Sequence, residues 1–246
     1  MVTKSQLSAY REAHAAIEMA VEADLRALWN AIDDLPFEEM KLALVNGIPD
    51  IIDTYGRLGQ VMAAEWFETL IGTNAFVPDL YSRDAWEAST RWAISPFFDE
   101  SKTDASAFSF LVQSAQRHAL NHSRYTISEN VARHKDMRYA RALAGRNPCN
   151  FCKVLSSRGP VYGPKTAVVA KDGDSYHDSC SCIAVPMRGV WVPDSNAPSG
   201  VRWEGDNIAG YDFDELYERD FKPYWAPGDA AADVVRKMRA ANPGSH

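Results

Sequence analysis

Apolar residues in the first third of the chain recur at three- and four-residue steps, the spacing of one face of an α-helix. The first stripe consists of Leu7, Tyr10, Ile17, Val21, Leu25, Leu28 and Ile32. This stripe predicts an amphipathic helix that ends before Pro36, because the residue before a proline avoids the helical conformation.

A second apolar stripe follows the first, and it consists of Ile51, Tyr55, Leu58 and Met62. We predict that its helix begins at Pro49, since proline suits the first helical turn, and that it ends at Gly72. The two helices are expected to form an antiparallel pair. Further helices are predicted near residues 84–94 and over residues 104–123 and 127–135.

The pattern changes after residue 135 to short β-branched or aromatic runs bounded by Gly, Pro or Asp, which are typical of strands. These runs are MRYARALA, GPVYG, TAVVA, CIAVPM and GVWVP. The sequence therefore predicts an α+β fold with a helical domain over residues 1–135 and a small α+β subdomain over residues 136–193. Residues 194–246 are rich in Pro, Gly and Asp, and they predict an extended C-terminal arm with one short helix over DAAADVVRKMRA.

The 246 residues are 46% hydrophobic and 24% charged, which is typical of a globular protein and excludes a disordered one. No stretch has the apolar length of a membrane span, and the first residues do not resemble a signal peptide. We therefore expect a protein made in the cytoplasm, where thiols stay reduced and clustered cysteines are more often metal ligands than disulfides.

Charge is distributed unevenly along the chain, whose net charge is −7. The net charge is −10 over residues 1–105, +8 over residues 106–165 and −5 over residues 166–246. The basic middle segment is consistent with a surface that faces DNA or another anion, and equally with one that pairs with acidic parts of the same or a neighbouring chain.

His118 and His122 are spaced as in the zinc-binding pair of metalloproteases, but Ala119 stands where those enzymes have a glutamate. We expect these two residues to be partly exposed helix histidines. Tyr55, Trp66 and Trp92 are expected to be core residues. A nucleophile elbow, a P-loop and a dinucleotide fingerprint are absent from the sequence.

All four cysteines lie in one window, together with one histidine. Cys149 and Cys152 form a C-x2-C knuckle in NPCNFCKVLSS, and His177, Cys180 and Cys182 follow in HDSCSC. These residues are five candidate donors for a tetrahedral zinc site that needs four. Four protein ligands leave no open position on the metal, so the predicted zinc ion is structural and holds together a subdomain with little core of its own.

Two alternatives to zinc stay open for the cysteine window. A redox-active C-x-x-C motif is the first, although the βαβ unit that usually surrounds it is missing from the pattern. The second is a set of free thiols or a regulatory disulfide.

The cysteine window resembles that of the minor head proteins of tailed phages typified by the F protein of phage Mu. The resemblance covers residues 136–190, where many members read HPNCRC in place of HDSCSC. The form CNFCKVLSSRGPVYG is most similar to an actinobacteriophage branch whose members are named capsid maturation proteases or Mu-F-like minor capsid proteins. Ser181 stands where those members have an arginine, and residues after 194 do not match the family.

The resemblance implies a low-copy head component that is made in the bacterial cytoplasm and enters the procapsid near the portal. Its implied partners are the portal protein, scaffold or major capsid protein, and packaged DNA. A capsid maturation protease is the alternative, and its nucleophile would have to come from serines such as Ser156 and Ser157 with a histidine as base. A zinc-stabilised DNA-binding protein is the third possibility.

Overall fold

Four helices account for most of the described residues in the first half of the protein. The computed structural model describes residues 1–80, 83–94, 104–143, 148–163, 180, 182–197 and 199–242. The first four helices are α1 (Lys4–Ile32), α2 (Phe37–Ile71), α3 (Arg83–Ala93) and α4 (Asp104–Ala132). None of the described helices is both long enough and apolar enough to cross a membrane.

Helix α1 confirms the first apolar stripe. Thr3 caps its start, because the Thr3 hydroxyl accepts the Gln6 amide at 3.2 Å while the Gln6 side chain accepts the Thr3 amide at 2.9 Å. His14 is buried between Tyr10 and Ile17 on the same face, so the buried stripe is continuous along this helix. The stripe packs against α2 and α4.

Helix α2 begins at Phe37, and the predicted start at Pro49 is wrong because Pro49 lies inside the helix. A proline in a helix interior costs about 3 kcal/mol, because it removes one backbone hydrogen bond and crowds the preceding turn. Ile48 and Ile52 on either side of the proline are fully buried, and this packing offsets the cost. The end of the helix is as predicted: Gly72 has a φ of 74° and donates its amide to the Glu68 carbonyl.

Helix α4 is a single helix where two were predicted. Thr126 lies between the two predicted segments, and its hydroxyl donates to the His122 carbonyl at 2.9 Å within the same helix. Ile127 and Val131, which follow it, are completely buried in the core. Tertiary packing therefore continues the helix through a weakly helical sequence.

The described residues of the second half form three antiparallel strands in the order β1-β2-β3 together with three α-helices. The elements are β1 (Met137–Ala142), α5 (Asn150–Ser156), β2 (Ile183–Pro193), β3 (Val201–Gly205), α6 (Phe213–Asp220) and α7 (Ala231–Ala241). The α+β class is thus confirmed. The run TAVVA lies outside the described residues, and GPVYG forms one isolated bridge between Tyr162 and Tyr139.

The runs CIAVPM and GVWVP form one strand, β2, instead of two. Its first half pairs with β1 from Ile183↔Ala142 to Arg188↔Met137, and its second half pairs with β3 from Gly189↔Gly205 onward. Gly189 has a φ of 157°, and a Cβ there would lie 2.5 Å from the Glu204 carbonyl oxygen. Glycine is therefore required where the strand changes partner.

The residues after 193 contain more regular structure than the predicted extended arm with one helix. They add β3 and α6 as well as the predicted α7. Val234, Val235 and Met238 of α7 are buried against Val154 of α5. This segment therefore packs on the sheet and on α5.

Two large apolar clusters form the core. One lies among α1, α2, α3 and α4 and contains Ile17, Val21, Leu25, Ile52 and Leu120. The other joins the helices to the sheet, and Leu7, Phe67, Ile127, Tyr139 and Val185 belong to it. The predicted division of the chain at residue 135 stays a prediction, and this second cluster contains residues from both sides of it.

Candidate metal centre

Three cysteine side chains converge where α5 meets the start of β2. The Sγ atoms of Cys152, Cys180 and Cys182 all lie within 4.8 Å of one another, and all three residues are buried. The sulfurs of Cys152 and Cys180 are in contact at 3.5 Å. Pairing of β2 with β1 thus brings Cys180 and Cys182 to Cys152, which precedes them in the sequence by 28 and 30 positions.

The C-x2-C knuckle is formed by the start of α5. Cys149 is the N-cap of this helix, and its sulfur accepts the backbone amide of Cys152 at 3.4 Å. Such an N–H···S bond stabilises a thiolate, because the acceptor carries the negative charge. Cys149 also packs against the buried cluster, together with Leu143. It therefore lies beside the three clustered cysteines and is a candidate fourth ligand.

Arg124 of α4 holds the two cysteines of the β2 side in place. This residue is 1% exposed, and its Nε donates to the Cys182 carbonyl at 3.0 Å. Its Nη2 donates to the Cys180 carbonyl, and its Nη1 donates to Asn121 Oδ1 at 3.1 Å. One planar guanidinium thereby fixes the backbone on both sides of residue 181.

A second buried arginine, Arg141 of β1, lies beside the cluster. The Arg141 carbonyl accepts the Ser156 hydroxyl at 2.8 Å, which ties β1 to the end of α5. The sulfurs are therefore held by α4, β1 and α5 together. This scaffold places the positive charges of Arg124 and Arg141 beside the cysteines.

The environment of the cysteines favours a thiolate at Cys180. Hydrogen bonds from the Cys152 and Cys182 thiols lower the pKa of Cys180 well below its usual range, and the charges of Arg124 and Arg141 add to this effect. The pKa of Cys152 is raised by its hydrogen bonds with Cys149, Cys180 and Cys182 and by burial. The three thiols thus share protons, and one of them readily carries the charge that a metal ligand needs.

The donor set fits a soft metal ion bound by thiolates. Zn²⁺, Cu⁺ and iron–sulfur clusters accept such ligands, and a structural zinc ion takes four of them in a tetrahedron. Of the five predicted donors, the structure brings Cys152, Cys180 and Cys182 together and places Cys149 next to them. His177 lies outside the described residues.

Arg124 and Arg141 were not identified from the sequence as parts of this site. Arg124 occupies the same helical face as Leu120, Ile127 and Val131, which are all buried. A charged residue within an apolar stripe is a signal that it has a buried partner. The sequence does not show which partner, because Cys180 and Cys182 are more than 50 residues away.

The expectation of exposed histidines on α4 is wrong. His118 is 2% exposed and His122 is 0% exposed, because this face of α4 packs against α1 and α2. Burial lowers the pKa of each to about 3, so both are neutral near pH 7. Of the three aromatic residues expected in the core, Trp66 is buried, Tyr55 is half-buried, and Trp92 is 61% exposed.

Comparison with curated proteins finds no match, and comparison with solved structures finds none either. The profile of one protein family, described as VG15 protein, matches residues 1–219. The matched region contains the elements from α1 to β3 and nearly all of α6, and it includes the four cysteines as well as Arg124 and Arg141. The chain therefore belongs to the VG15 protein family, and it is a phage protein.

Proposed function

We propose that the protein is a Mu-F-like minor head protein, a low-copy structural component of the procapsid interior near the portal, stabilised by a zinc ion. The observation that carries this proposal is the buried cluster of Cys152, Cys180 and Cys182 in a chain that a phage protein family matches over residues 1–219. The C-x2-C knuckle and the H-x2-C-x-C motif are the features that resemble the minor head proteins.

The proposed zinc ion is bound by Cys152, Cys180 and Cys182, with Cys149 or His177 as the fourth ligand. Bound zinc cross-links the start of α5 to the start of β2, and structural zinc sites of this kind contribute about 10–16 kcal/mol of apparent binding free energy. The cysteines belong to a small cluster of their own, apart from the two large apolar cores. The zinc ion therefore supplies cohesion where apolar contacts are few.

The proposed partners follow the charge of the chain. The acidic helical half is proposed to contact the portal or another head protein, and the basic segment 106–165 is proposed to face packaged DNA or an acidic rim. Arg124 and Arg141 belong to that segment but are buried, so its exposed basic surface is smaller than its sequence charge indicates.

The protease alternative is less well supported by the serines of the described chain. Ser156 and Ser157 are buried, and their hydroxyls donate to the carbonyls of Arg141 and Val154. A Ser–His contact exists between Ser123 Oγ and His14 Nε2 at 3.3 Å, but both residues are buried between α1 and α4. A polypeptide substrate does not reach a pair enclosed in this way.

Metal analysis of the purified full-length protein tests the zinc ion. We expect about one zinc per chain. Cys152→Ser should lose the metal, whereas Ser157→Ala in the same helical segment should keep it. Cys149→Ser and His177→Ala then identify the fourth ligand, because only the true ligand should weaken zinc binding. A metal-free preparation with an unchanged melting temperature would refute the structural zinc.

The head assignment is tested separately by the composition of particles. Quantitative mass spectrometry of procapsids and mature virions should find this chain in few copies per portal ring. The full-length protein should be retained on a column of immobilised portal protein. It should also bind duplex DNA, with an affinity that falls as the salt concentration rises. Absence of the chain from both particle types would refute the assignment even if zinc is present.

A further inference from the structure

Two adjoining pockets form a groove on the face made by β2, β3 and α6, away from the cysteine cluster. The first has a volume of about 250 Å³ and an apolar floor. Its apolar residues are Val161, Trp191, Val201, Phe213, Tyr217 and Phe221. The second has a volume of about 310 Å³ and contains Trp203, Asp206 and Asp212. Trp191, Phe213 and Asp214 line both, so the two pockets are continuous. We call this surface the aromatic groove.

The two tryptophans of the aromatic groove are held in place by hydrogen bonds and by each other. The indole Nε1 of Trp191 donates to the Pro160 carbonyl at 3.0 Å, and that of Trp203 donates to the Asp206 carbonyl at 2.9 Å. The two rings pack edge to face with their centroids 5.6 Å apart. A ligand therefore meets side chains that are already ordered, which reduces the entropy lost on binding.

The wall of the groove between the two pockets is acidic. Burial and the neighbouring carboxylates of Asp212, Asp194 and Glu218 raise the pKa of Asp214, so several negative charges lie close together here. Three cations also lie at the groove: Arg158 lines the first pocket, Arg202 of the second pocket pairs with Asp194 at 3.1 Å, and the Met1 amino group pairs with Asp206 at 3.3 Å. Asp212 and Asp214 are the lining carboxylates that form none of these ion pairs. A cation entering beside Asp214 would relieve this repulsion, and the faces of the tryptophan rings attract cations as well.

We infer that the aromatic groove binds an extended segment of a partner protein that presents an apolar side chain next to a lysine or arginine. The first pocket has room for about one large apolar side chain, and the second offers the carboxylates of Asp212 and Asp214 to the adjacent basic side chain. Two pockets of opposite character in one continuous groove match a peptide better than a single compact ligand. This inference depends neither on zinc nor on the head assignment.

Binding of synthetic peptides to the full-length protein tests the inference. The probe is a fluorescein-labelled peptide with the core Lys-Leu-Arg-Phe-Lys, and fluorescence anisotropy measures its dissociation constant. Two matched peptides replace either the apolar residues by serine or the basic residues by glutamate. We expect the basic–apolar peptide to bind about tenfold more tightly than either matched peptide.

Two substitutions locate the bound peptide. Val201→Trp fills the apolar pocket from an exposed strand position where tryptophan is well tolerated, and it should weaken binding by about tenfold. Val190→Trp places the same side chain at an exposed position of β2 that does not line the groove, and it should leave binding unchanged. Asp214→Asn should weaken binding by about threefold, whereas Glu38→Gln on α2 should not.

Near-ultraviolet circular dichroism and thermal melting confirm that each variant is folded. If Val201→Trp does not fold, Asp214→Asn on the exposed surface of α6 still decides the outcome. Equal binding of the serine-substituted peptide would overturn the inference, because attraction to the net negative charge of the protein would then suffice. Tighter binding of the glutamate peptide, or binding that survives both groove substitutions, would overturn it as well.

Discussion

Replacing Arg124 by methionine should destabilise the protein and weaken metal binding at the same time. The methionine keeps most of the buried volume but leaves the carbonyls of Cys180 and Cys182 without this donor. A hydrogen bond from a charged group is worth about 1.5–3 kcal/mol, so two of them account for a loss of about 3–6 kcal/mol. For a chain of this size, that loss lowers the melting temperature by roughly 6–24 °C.

The assay for Arg124→Met measures thermal unfolding with excess zinc and, separately, competition for zinc by a chromogenic chelator. We expect zinc affinity to fall by about 10–100-fold, as it does when a residue that orients metal ligands is removed. Arg57→Met is the matched control, because Arg57 is exposed and its pair with Asp53 at 3.2 Å lies on the surface of α2. It should change stability by less than about 1 kcal/mol. Unchanged zinc affinity and melting temperature in Arg124→Met would refute the positioning role.

Two further predictions concern the packing of α2 against α4 and its response to acid. A Cβ at Gly56 would lie 2.3 Å from His122 Cδ2. Gly56→Ala should therefore lower the free energy of unfolding, measured in urea, by about 1–3 kcal/mol. Gly59→Ala is the control, because a Cβ there would make only ordinary contacts, and it should be neutral or stabilising. Burial lowers the pKa of His14, His118 and His122 to about 3, below the unfolded value of 6.5, so the unfolded state binds more protons. The contribution of these histidines to the free energy of unfolding should be fully present above pH 6.5 and should be lost as pH falls toward 3. At pH 5 the expected loss is about 2 kcal/mol per histidine. Urea unfolding across this pH range measures the loss, and equal stability at pH 5 and pH 7 would contradict it.

Local pattern determined much of this fold from the sequence alone. The stripe from Leu7 to Ile32 predicted α1, because an amphipathic helix buries one face whatever it packs against. Gly72 predicted the end of α2, because only a residue that tolerates a positive φ can accept the left-handed cap. The cysteine spacing predicted one shared centre, and the sulfurs of Cys152, Cys180 and Cys182 do converge.

Tertiary structure decided what local pattern does not encode. Burial of Ile48 and Ile52 carries α2 through Pro49, although proline disfavours a helix interior. Packing of α4 against α1 and α2 places His118 and His122 inside the protein.

The composition of the candidate metal centre also depends on tertiary structure. Arg124 reaches the carbonyls of Cys180 and Cys182 only because α4 packs against β2, a contact between residues more than 50 positions apart. Spacing along the chain therefore predicted the candidate ligands, which lie close together on short motifs. The arginines that orient them and offset their charge come from other elements, and only the folded arrangement of those elements brings them to the site.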